Sequence, residues 1–415
     1  MDKLLFGIIL GKNRADIQTG ARMKEFVFGD RFTRGTTVMP TVKYSKQNLI
    51  VQGLDLSFSG NFNFGYEQVI DTVARKYNWL GEHIDKPSPG SESSRSMNKN
   101  KNNAGIITGN INYKLGSHHT FTLNNVYNTF NRKSKDELYP ESDDNAQKRK
   151  TTKNIIGLSY KYSYSDKWNS FIFVKKYHQK TTYFKTETPS WGTTEYIPVE
   201  KNIGLWGYGI ASTYFLTSRI QLKASYEKSL RMPGNEEIFG NEANSLQANM
   251  ELKPEQSHNF NFSASYDTKF NEIHGLLVEG SFLVRNTKDF IRQQLTVNGD
   301  KTVMSNLGKV SNYGFNAEAR CSYKSLINTG VNFSYQNLRN NTKYTEYGDG
   351  LKKESTNYKD RIPNLPYLFG NANLGLSLEN VFKKGNNLSI GYDLMYVNKY
   401  YLRWPSDGAS ASKGD

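Results

Sequence analysis

The stretch LDLSFSGNFNFGYE, residues 54–67, decides the fold class because polar and apolar side chains alternate along it. Its even-numbered positions carry the apolar set Leu54, Leu56, Phe58, Phe62, Phe64 and Tyr66, interrupted by Gly60. A period of two indicates a β-strand with one apolar and one polar face. Strands of soluble domains usually end after about five or six residues. The thirteen alternating residues 54–66 at about 3.3 Å each, tilted by about 45°, rise about 30 Å, the thickness of a bilayer's hydrocarbon core.

The composition is compatible with such strands. The chain has 415 residues, enough for two or three ordinary domains or for one large sheet. Hydrophobic residues make up 36% and the mean hydropathy is −0.69, and no stretch approaches the ~18 apolar residues of a membrane helix. Alternating strands average their two faces to a polar mean, so this value does not exclude a membrane barrel. The 27 Tyr and 23 Phe residues suit the aromatic girdles of such barrels.

Cysteine and histidine usage gives no sign of catalysis or of a cofactor. Cys321 is the single cysteine, so no intrachain disulfide can form. The residues at alternate positions on either side of it are mostly apolar, which places it on an apolar strand face. The six histidines are scattered, and the pair His118–His119 falls in a predicted tight turn. No G-x-S-x-G elbow stands between strand and helix. We therefore expect no catalytic residue, no metal site and no cofactor.

Hairpins follow one another along the chain, and their connections alternate between short and long. We predict about fifteen strands, with seven short turns at one end and longer loops at the other. Outer-membrane barrels have short periplasmic turns and longer extracellular loops, whereas a soluble sandwich or propeller has no reason for this asymmetry. The opening run LLFGIIL lacks a small-residue cleavage site and is predicted to be another strand.

The net charge of +15 leaves several anionic partners open. Its densest cluster, QKRKTTK at 147–153, is predicted to lie in a long loop near lipid phosphates, and NKNKNN at 98–103 in another loop. No RNP1 or zinc-finger spacing is present, so we expect no nucleic-acid partner.

The two faces of later strands fit a membrane wall. In IIGLSYKYSY, residues 155–164, the apolar positions Ile156 and Leu158 alternate with Ser159 and Lys161. A lysine facing lipid at the midplane would cost a few kcal/mol, whereas one facing a wet lumen costs little. The fold class predicted is all-β, a transmembrane antiparallel up-and-down β-barrel.

Two further stretches resemble a known family, the TonB-dependent outer-membrane receptors. Residues 226–266 resemble its segment with Arg-x-Pro before acidic residues and a later Leu-Lys-Pro-Glu. Residues 306–319 resemble its Asn-x-Gly followed by Gly-x-x-x-Glu. The matching residues are Arg231, Pro233, Glu236, Glu237, Leu252, Lys253, Pro254, Glu255, Asn306, Gly308, Gly314 and Glu318. We interpret them as structural, and we expect Glu255 and Glu318 to face the lumen, where a carboxylate could meet an internal plug.

The resemblance implies a 22-strand barrel that encloses an N-terminal plug and is coupled to a TonB-type energising complex. We find no plug-like domain and a C-terminal stretch that ends in a loop. Residues 1–415 are therefore expected to be a partial barrel of about fifteen strands. Implied partners are outer-membrane lipid and lipopolysaccharide, the TonB-type complex in the full-length protein, and a small-molecule or oligosaccharide ligand. The implied location is the outer membrane of a Gram-negative bacterium.

The function implied is active uptake of a scarce large ligand, such as an iron-siderophore, haem, a cobalamin or a glycan. Loop aromatics able to stack on such ligands are the candidates Tyr77, Trp79, Trp191, Tyr196 and Trp404. The alternatives are a passive porin or adhesin-like barrel and, far less favoured, a barrel lipase or protease or a soluble nucleic-acid-binding protein.

Overall fold

The computed structural model describes residues 3–22, 25–71, 75–78, 96–136, 148–187, 195–240, 246–271, 274–295, 302–324, 326–346, 352–408 and 411–412. At residues 3–33, and at a few later strand positions that include 71, 75–78, 96 and 136, the backbone alone is described. Among these residues no helix is long and apolar enough to cross a membrane.

Fifteen antiparallel strands, each paired with the next, form the path of one large sheet. Their bounds are β1 Lys3–Arg22, β2 Glu25–Lys46, β3 Leu54–Asp71, β5 Ser96–Leu115, β6 His119–Asp136, β7 Lys148–Ser165, β8 Trp168–Glu187, β9 Glu195–Phe215, β10 Ile220–Arg231, β12 Glu255–Asn271, β13 His274–Lys288, β16 Val310–Tyr323, β17 Ile327–Asn340, β20 Leu368–Leu378 and β21 Leu388–Val397. A further strand, β4 Arg75–Asn78, pairs with β2. The edges of the path are β1 and β21. The predicted number of strands and their long alternating pattern are confirmed, including a strand in place of the opening apolar run.

The remaining elements lie in the connections between these strands. They are β11 Leu246–Gln247, β14 Ile291–Leu295, β15 Thr302–Asn306, β18 Tyr344–Glu346, β19 Lys352–Glu354, β22 Tyr400–Tyr401, β23 Ala411–Ser412, the helix α1 Asn235–Phe239 and the 3₁₀ turn Pro405–Asp407. Strands β11, β15 and β14 form a separate three-stranded sheet.

Most connections from β2 onward alternate in length as predicted, but the connection 188–194 between β8 and β9 is no longer than the short connection 47–53. Short ones span 47–53, 116–118, 166–167, 216–219, 272–273, 324–326 and 379–387. From β3 onward the intervening connections lie at the opposite end of the sheet, and the three longest that follow β10 span 232–254, 289–309 and 341–367. This end is called the long-loop end below.

The two faces of the sheet differ as the alternation requires. On β7 to β9 the outer face carries exposed apolar side chains such as Leu158, Ile172 and Trp206. The inner face carries Thr151, Gln179 and Tyr183, all of them buried. The buried residues concentrate at the long-loop end, because connections there fold against the inner wall, as described below.

Aromatic rings cluster on the outer face at two levels. Near the short turns His119, Phe121, Tyr160, Tyr162, Tyr164 and Trp168 contact one another. Higher up, Trp206 and Tyr208 lie under the ammonium groups of Lys176 and Lys228, at 5.4 and 6.0 Å. Trp168 and Lys176 are eight residues apart on β8, which corresponds to roughly 20 Å of height. Two such levels match the interfacial girdles of membrane barrels.

Two predicted loops are wrong. Residues 98–103 belong to β5 and residues 148–153 of the basic cluster belong to β7. Both stretches are polar at every position, so the period of two that reveals a half-buried strand is missing there. These strands extend beyond the apolar band of the wall.

Candidate functional site

The connection between β10 and β12 folds inward and packs on the inner wall. Its helix α1 buries Ile238 and Phe239 against Tyr183 of β8. Phe130 of β6 stacks on Phe239 with ring centroids 6.1 Å apart. Val199 of β9 and Met250 complete this apolar cluster. The connection thereby covers the upper inner face of β6, β8 and β9.

Three cations of the inner wall bind backbone carbonyls of this connection. Arg132 donates from Nη1 to the carbonyl of Gly240 at 3.2 Å, and Arg149 donates from Nη1 to that of Phe239 at 2.9 Å. The Lys153 ammonium donates to the carbonyl of Pro233. Carbonyls at the end of a helix lack intrahelical partners, so Arg132 and Arg149 satisfy groups at the end of α1 that would otherwise be left unpaired, while Lys153 binds the chain just before the helix.

The far side of the connection is held by Glu251. Its carboxylate accepts a hydrogen bond from the Tyr183 hydroxyl at 3.1 Å and one from the Lys201 ammonium at 3.4 Å. These two contacts, the Tyr183 hydrogen bond first, hold the pKa of Glu251 below its ordinary value.

A carboxylate–guanidinium network closes the base of the connection. Arg231 forms a bidentate pair with Glu237, with donor–acceptor distances of 2.9 to 3.1 Å, and its Nε lies 3.2 Å from Oε1 of Glu255. Glu237 also accepts the backbone N–H of Gly234 at 2.7 Å. Glu255 accepts the N–H of Ile291 at 2.8 Å and is only 4% exposed. Glu255 lies on the inner face of β12, in register with Arg231, and its carboxylate is bound by Arg231 and the Ile291 N–H; a contact with an internal plug stays a prediction.

The connections that follow β10 and β13 are joined to each other through Asn306. Its amide donates to the carbonyls of Lys253 at 3.0 Å and Asp289 at 2.7 Å, and its Oδ1 accepts the N–H of Lys253 at 2.9 Å. Pairing of β11 with β15 joins the same two connections. Leu252 and Pro254 are buried beside this junction, and Pro233 is fully buried at the other end.

The third connection, 341–367, adds to the same layer. Gly308 has φ +95°, and a Cβ there would lie 2.6 Å from Oγ1 of Thr342, so only glycine fits. Thr342 donates to the carbonyl of Leu307 at 2.9 Å and accepts the N–H of Lys309 at 2.8 Å. Arg292 donates to the carbonyl of Pro363 at 3.4 Å. We call these three joined connections the loop layer.

The last two residues of the resemblance lie lower in the wall, away from the loop layer. Gly314 allows close packing, because a Cβ there would lie 2.9 Å from Cγ of Leu283 on β13. Glu318 pairs in register with Glu279 on β13, on the inner face, and forms an ion pair with Arg320. Glu318 borders a recess of about 510 Å³ in the inner wall.

The candidate loop aromatics are spread apart. Tyr77 lies in β4, Tyr196 near the start of β9, and Trp404 under Arg292, whose guanidinium carbon is 4.9 Å from the ring centroid. Trp79 and Trp191 lie outside the described residues. The described aromatics therefore do not form one cluster, and their role in binding stays a prediction.

No metal-binding group is seen in the described part of the chain, where three or more His, Cys, Asp or Glu side chains nowhere converge. His118 donates from Nδ1 to the carbonyl of Ser163 at 2.6 Å, and His119 is hydrogen-bonded to the Tyr160 hydroxyl at 2.8 Å. Cys321 is exposed on the face that also exposes Tyr313 and Phe315.

Comparison with known families assigns this architecture. The family described as TonB dependent receptor-like, beta-barrel matches residues 11–413. The chain belongs to this family. No curated protein sequence matches it.

Solved structures agree on the fold at low sequence identity. The copper transporter OprC superposes with a TM-score of 0.62 at 12% identity, over 93% of this chain and 63% of that one. The ferric preacinetobactin receptor BauA of Acinetobacter baumannii gives 0.55 at 12%, over 91% and 54%. The haemophore receptor HasR of Serratia marcescens, solved with HasA and haem, gives 0.52 at 12%, over 95% and 66%. The chain thus spans between about half and two thirds of these receptors' lengths.

Sequence reasoning missed the side chains that hold the loop layer. Arg149 and Lys153 fall in a predicted loop, although they project from the inner face of β7 onto the connection that contains α1. The signal lies in the alternation along β7. Ser159 and Gly157 mark the odd-numbered positions as the inner face, so residues 153, 151 and 149 belong to that face as well.

Proposed function

We propose that this chain forms the wall and loop layer of an outer-membrane receptor that actively takes up a scarce large ligand. The observation that carries the proposal is the loop layer, which folds inward at the long-loop end instead of leaving an open mouth. Three connections bound to one another and to the wall narrow the entrance of a barrel. A receptor that must retain a large ligand needs such an entrance, whereas a general diffusion pore does not.

The ligand class we propose is an iron-siderophore, haem, a cobalamin or a glycan. Tyr196 and Trp404 are proposed contacts for its rings or sugars, together with Tyr77, Trp79 and Trp191. Arg292 over Trp404 adds a cation beside an aromatic face, a combination suited to a catecholate or carboxylate ligand.

Energy coupling belongs to the same proposal. We propose that residues 1–415 act as a barrel domain together with a plug and a TonB-type complex in the full-length protein, in the outer membrane of a Gram-negative bacterium. Lipid and lipopolysaccharide would surround the exposed apolar face of the sheet.

Growth of a deletion strain on single nutrient sources tests the proposal. The strain should fail on one iron, haem, cobalamin or glycan source and recover with the natural gene, and collapse of the inner-membrane proton gradient should abolish uptake. Growth equal to the parent strain on every source would contradict it.

Liposome swelling separates this function from that of a passive porin. The full-length gene product should not admit small sugars, because its entrance and interior are filled. Rapid swelling in a small sugar would favour the porin, and loss of cell attachment in the deletion strain without any uptake defect would favour the adhesin-like barrel.

A further inference from the structure

The inner wall beneath α1 is polar and almost completely covered. Thr151 of β7 and Gln179 of β8 are 0% and 1% exposed, and Thr181, which pairs in register with Thr151, is 3% exposed. The inner positions of β7 on either side of Thr151 are the basic residues that reach the carbonyls of Phe239 and Pro233. Since one carbonyl stands at the end of α1 and the other just before its start, the helix lies across Thr151. We call the following residues the covered patch: Thr151, Gln179, Thr181, Arg132, Arg149 and Lys153.

Two oxygen atoms in the covered patch lack a hydrogen-bond donor. The Thr151 hydroxyl oxygen and the side-chain carbonyl oxygen of Gln179 are buried, and neither has a partner within the described part of the chain. The amide nitrogen of Gln179 donates to the Thr181 hydroxyl at 3.2 Å, which leaves the carbonyl oxygen of that amide. Burial of an acceptor without a donor costs free energy. The docked helix therefore covers acceptors that it does not satisfy.

The basic side chains of the covered patch bind α1 through neutral carbonyl groups. Arg132 and Arg149 pair in register on β6 and β7, and they bind the adjacent carbonyls of Gly240 and Phe239. A guanidinium interacts more strongly with a carboxylate, to which it can donate two parallel hydrogen bonds, than with one carbonyl oxygen. A carboxylate ligand is therefore a stronger partner for this pair of arginines than α1 is.

The apolar side of α1 holds the helix on the wall when no ligand is bound. Ile238 and Phe239 are buried in the small cluster around Tyr183. These apolar contacts favour the docked helix, whereas the covered patch is better satisfied by a ligand that carries carboxylates and hydroxyl groups. Five residues are too few for a stable isolated helix, so release of α1 from the wall also unfolds it.

We propose that α1 covers a binding site for a hydroxycarboxylate, and that such a ligand displaces the helix from the wall. The basic side chains of the covered patch bind the carboxylates, and Thr151 and Gln179 accept hydrogen bonds from the hydroxyl groups. This inference rests on the proposed uptake function and specifies the chemistry of the ligand. The helix acts as a built-in competitor, because its carbonyls occupy the same donors that the ligand requires.

The test measures citrate binding to the full-length protein, purified in mild detergent, by isothermal titration calorimetry. Amide hydrogen exchange in residues 235–240 reports the release of α1. Tricarballylate is the matched probe, because it has the carboxylates of citrate without the hydroxyl group. The variant Phe239→Ala weakens the docking of the helix without changing the covered patch.

Further variants are made in the Phe239→Ala background, so that their effects on ligand binding are separated from their effects on helix docking. The basic triple variant carries Arg132→Gln, Arg149→Gln and Lys153→Gln. Its charge-matched control carries Lys114→Gln, Lys161→Gln and Lys223→Gln, at inner-face positions below the loop layer. A double variant, Thr151→Val with Gln179→Leu, removes the two acceptors without their burial becoming unfavourable.

We expect citrate to accelerate hydrogen exchange in residues 235–240 of the natural protein. Phe239→Ala should bind citrate about tenfold more tightly, because the apparent affinity rises with the population of the uncovered patch. In that background the basic triple variant should bind citrate about tenfold more weakly, and its control should not. Citrate should bind about fivefold more tightly than tricarballylate, and the double variant should remove this preference.

Unchanged exchange with citrate, or no gain in affinity in Phe239→Ala, would overturn the proposal, since α1 would then not compete with the ligand. Equal losses in the two triple variants, or equal affinities for citrate and tricarballylate, would also overturn it. The growth tests of the proposed function are scored separately. An uptake defect without any citrate effect would remove this inference alone, whereas a citrate effect without any uptake defect would contradict the proposed function and support the site.

Discussion

The inner and outer faces of strands β6 to β9 differ in how their side chains are satisfied. On the inner face Phe130, Arg149 and Tyr183 contact a folded connection. On the outer face Leu158, Ile172 and Trp206 remain exposed within the chain. The same strands therefore meet protein on one side and need an apolar surrounding on the other. Two separate interactions therefore stabilise the wall. On the inner face it packs against the folded connection at the long-loop end, and on the outer face its apolar band contacts the bilayer.

Truncation of Phe239 should have the largest effect on the inner side of this comparison. Phe239→Ala removes the ring between Tyr183 and Phe130 and should destabilise the loop layer by about 3 kcal/mol. Amide hydrogen exchange in residues 235–240 should then rise. Phe382→Ala, at a turn position that is 95% exposed, serves as the control and should leave these rates within error. Unchanged exchange in Phe239→Ala would mean that α1 is not held by this cluster.

A charged residue placed on the outer face of the sheet tests whether that face meets hydrocarbon. Ile111→Arg should cost about 2 to 3 kcal/mol in bilayer vesicles, because its side chain faces the hydrocarbon near the midplane. Ile106→Arg is the matched control: it lies opposite Asn61 on the inner face, is similarly exposed, and should cost less than about 0.5 kcal/mol. The measurement is denaturant unfolding followed by tryptophan fluorescence. Equal costs would contradict the assignment of faces.

Removal of the buried carboxylate should loosen the junction between two connections. Glu255→Ala leaves the N–H of Ile291 without its acceptor and takes one partner from Arg231, a loss of about 2 kcal/mol. Limited trypsin digestion after Arg292, the residue that follows Ile291, should become faster. Glu318→Ala removes a more exposed carboxylate paired with Arg320 and should change digestion little. Faster cleavage in both variants would show that the network is not specific to Glu255.

Lowering the pH should have the smallest effect on stability, and this effect should be confined to the loop layer on the inner face. Because the pKa of Glu251 is lowered in the folded protein, its contacts with Tyr183 and Lys201 add stability that is present above about pH 4.5 and is lost as the pH falls below it. Since Glu251 is largely exposed, the loss should be only a few tenths of a kcal/mol. Hydrogen exchange near Met250 between pH 6 and pH 3.5 measures it. Glu251→Gln should remove the pH-dependent part, and a variant with the full dependence would contradict the assignment.

The sequence allowed the wall to be predicted because each strand in the apolar band carries its own pattern. On β7 the apolar residues Ile156, Leu158 and Tyr160 alternate with Ser159 and Lys161. This pattern can be recognised from the residues of the strand alone. Above the apolar band both faces of a strand are polar, so the alternation is absent at residues 98–103 and 148–153, and the sequence predicts loops there. The loop layer could not be predicted for a different reason. Arg149 meets Phe239 and Lys253 meets Asn306 across 90 and 53 residues of sequence, and local patterns contain no information about such contacts.

Spin labels placed one at a time along residues 155–162 of β7, in a Cys321→Ser background in bilayers, test the two-faced wall most directly. Contact with oxygen dissolved in lipid should peak at 156, 158, 160 and 162, and contact with a water-soluble nickel complex at the odd positions between them. The same phase in both profiles, or no period of two, would contradict a wall with lipid on one side and a wet or protein-filled interior on the other.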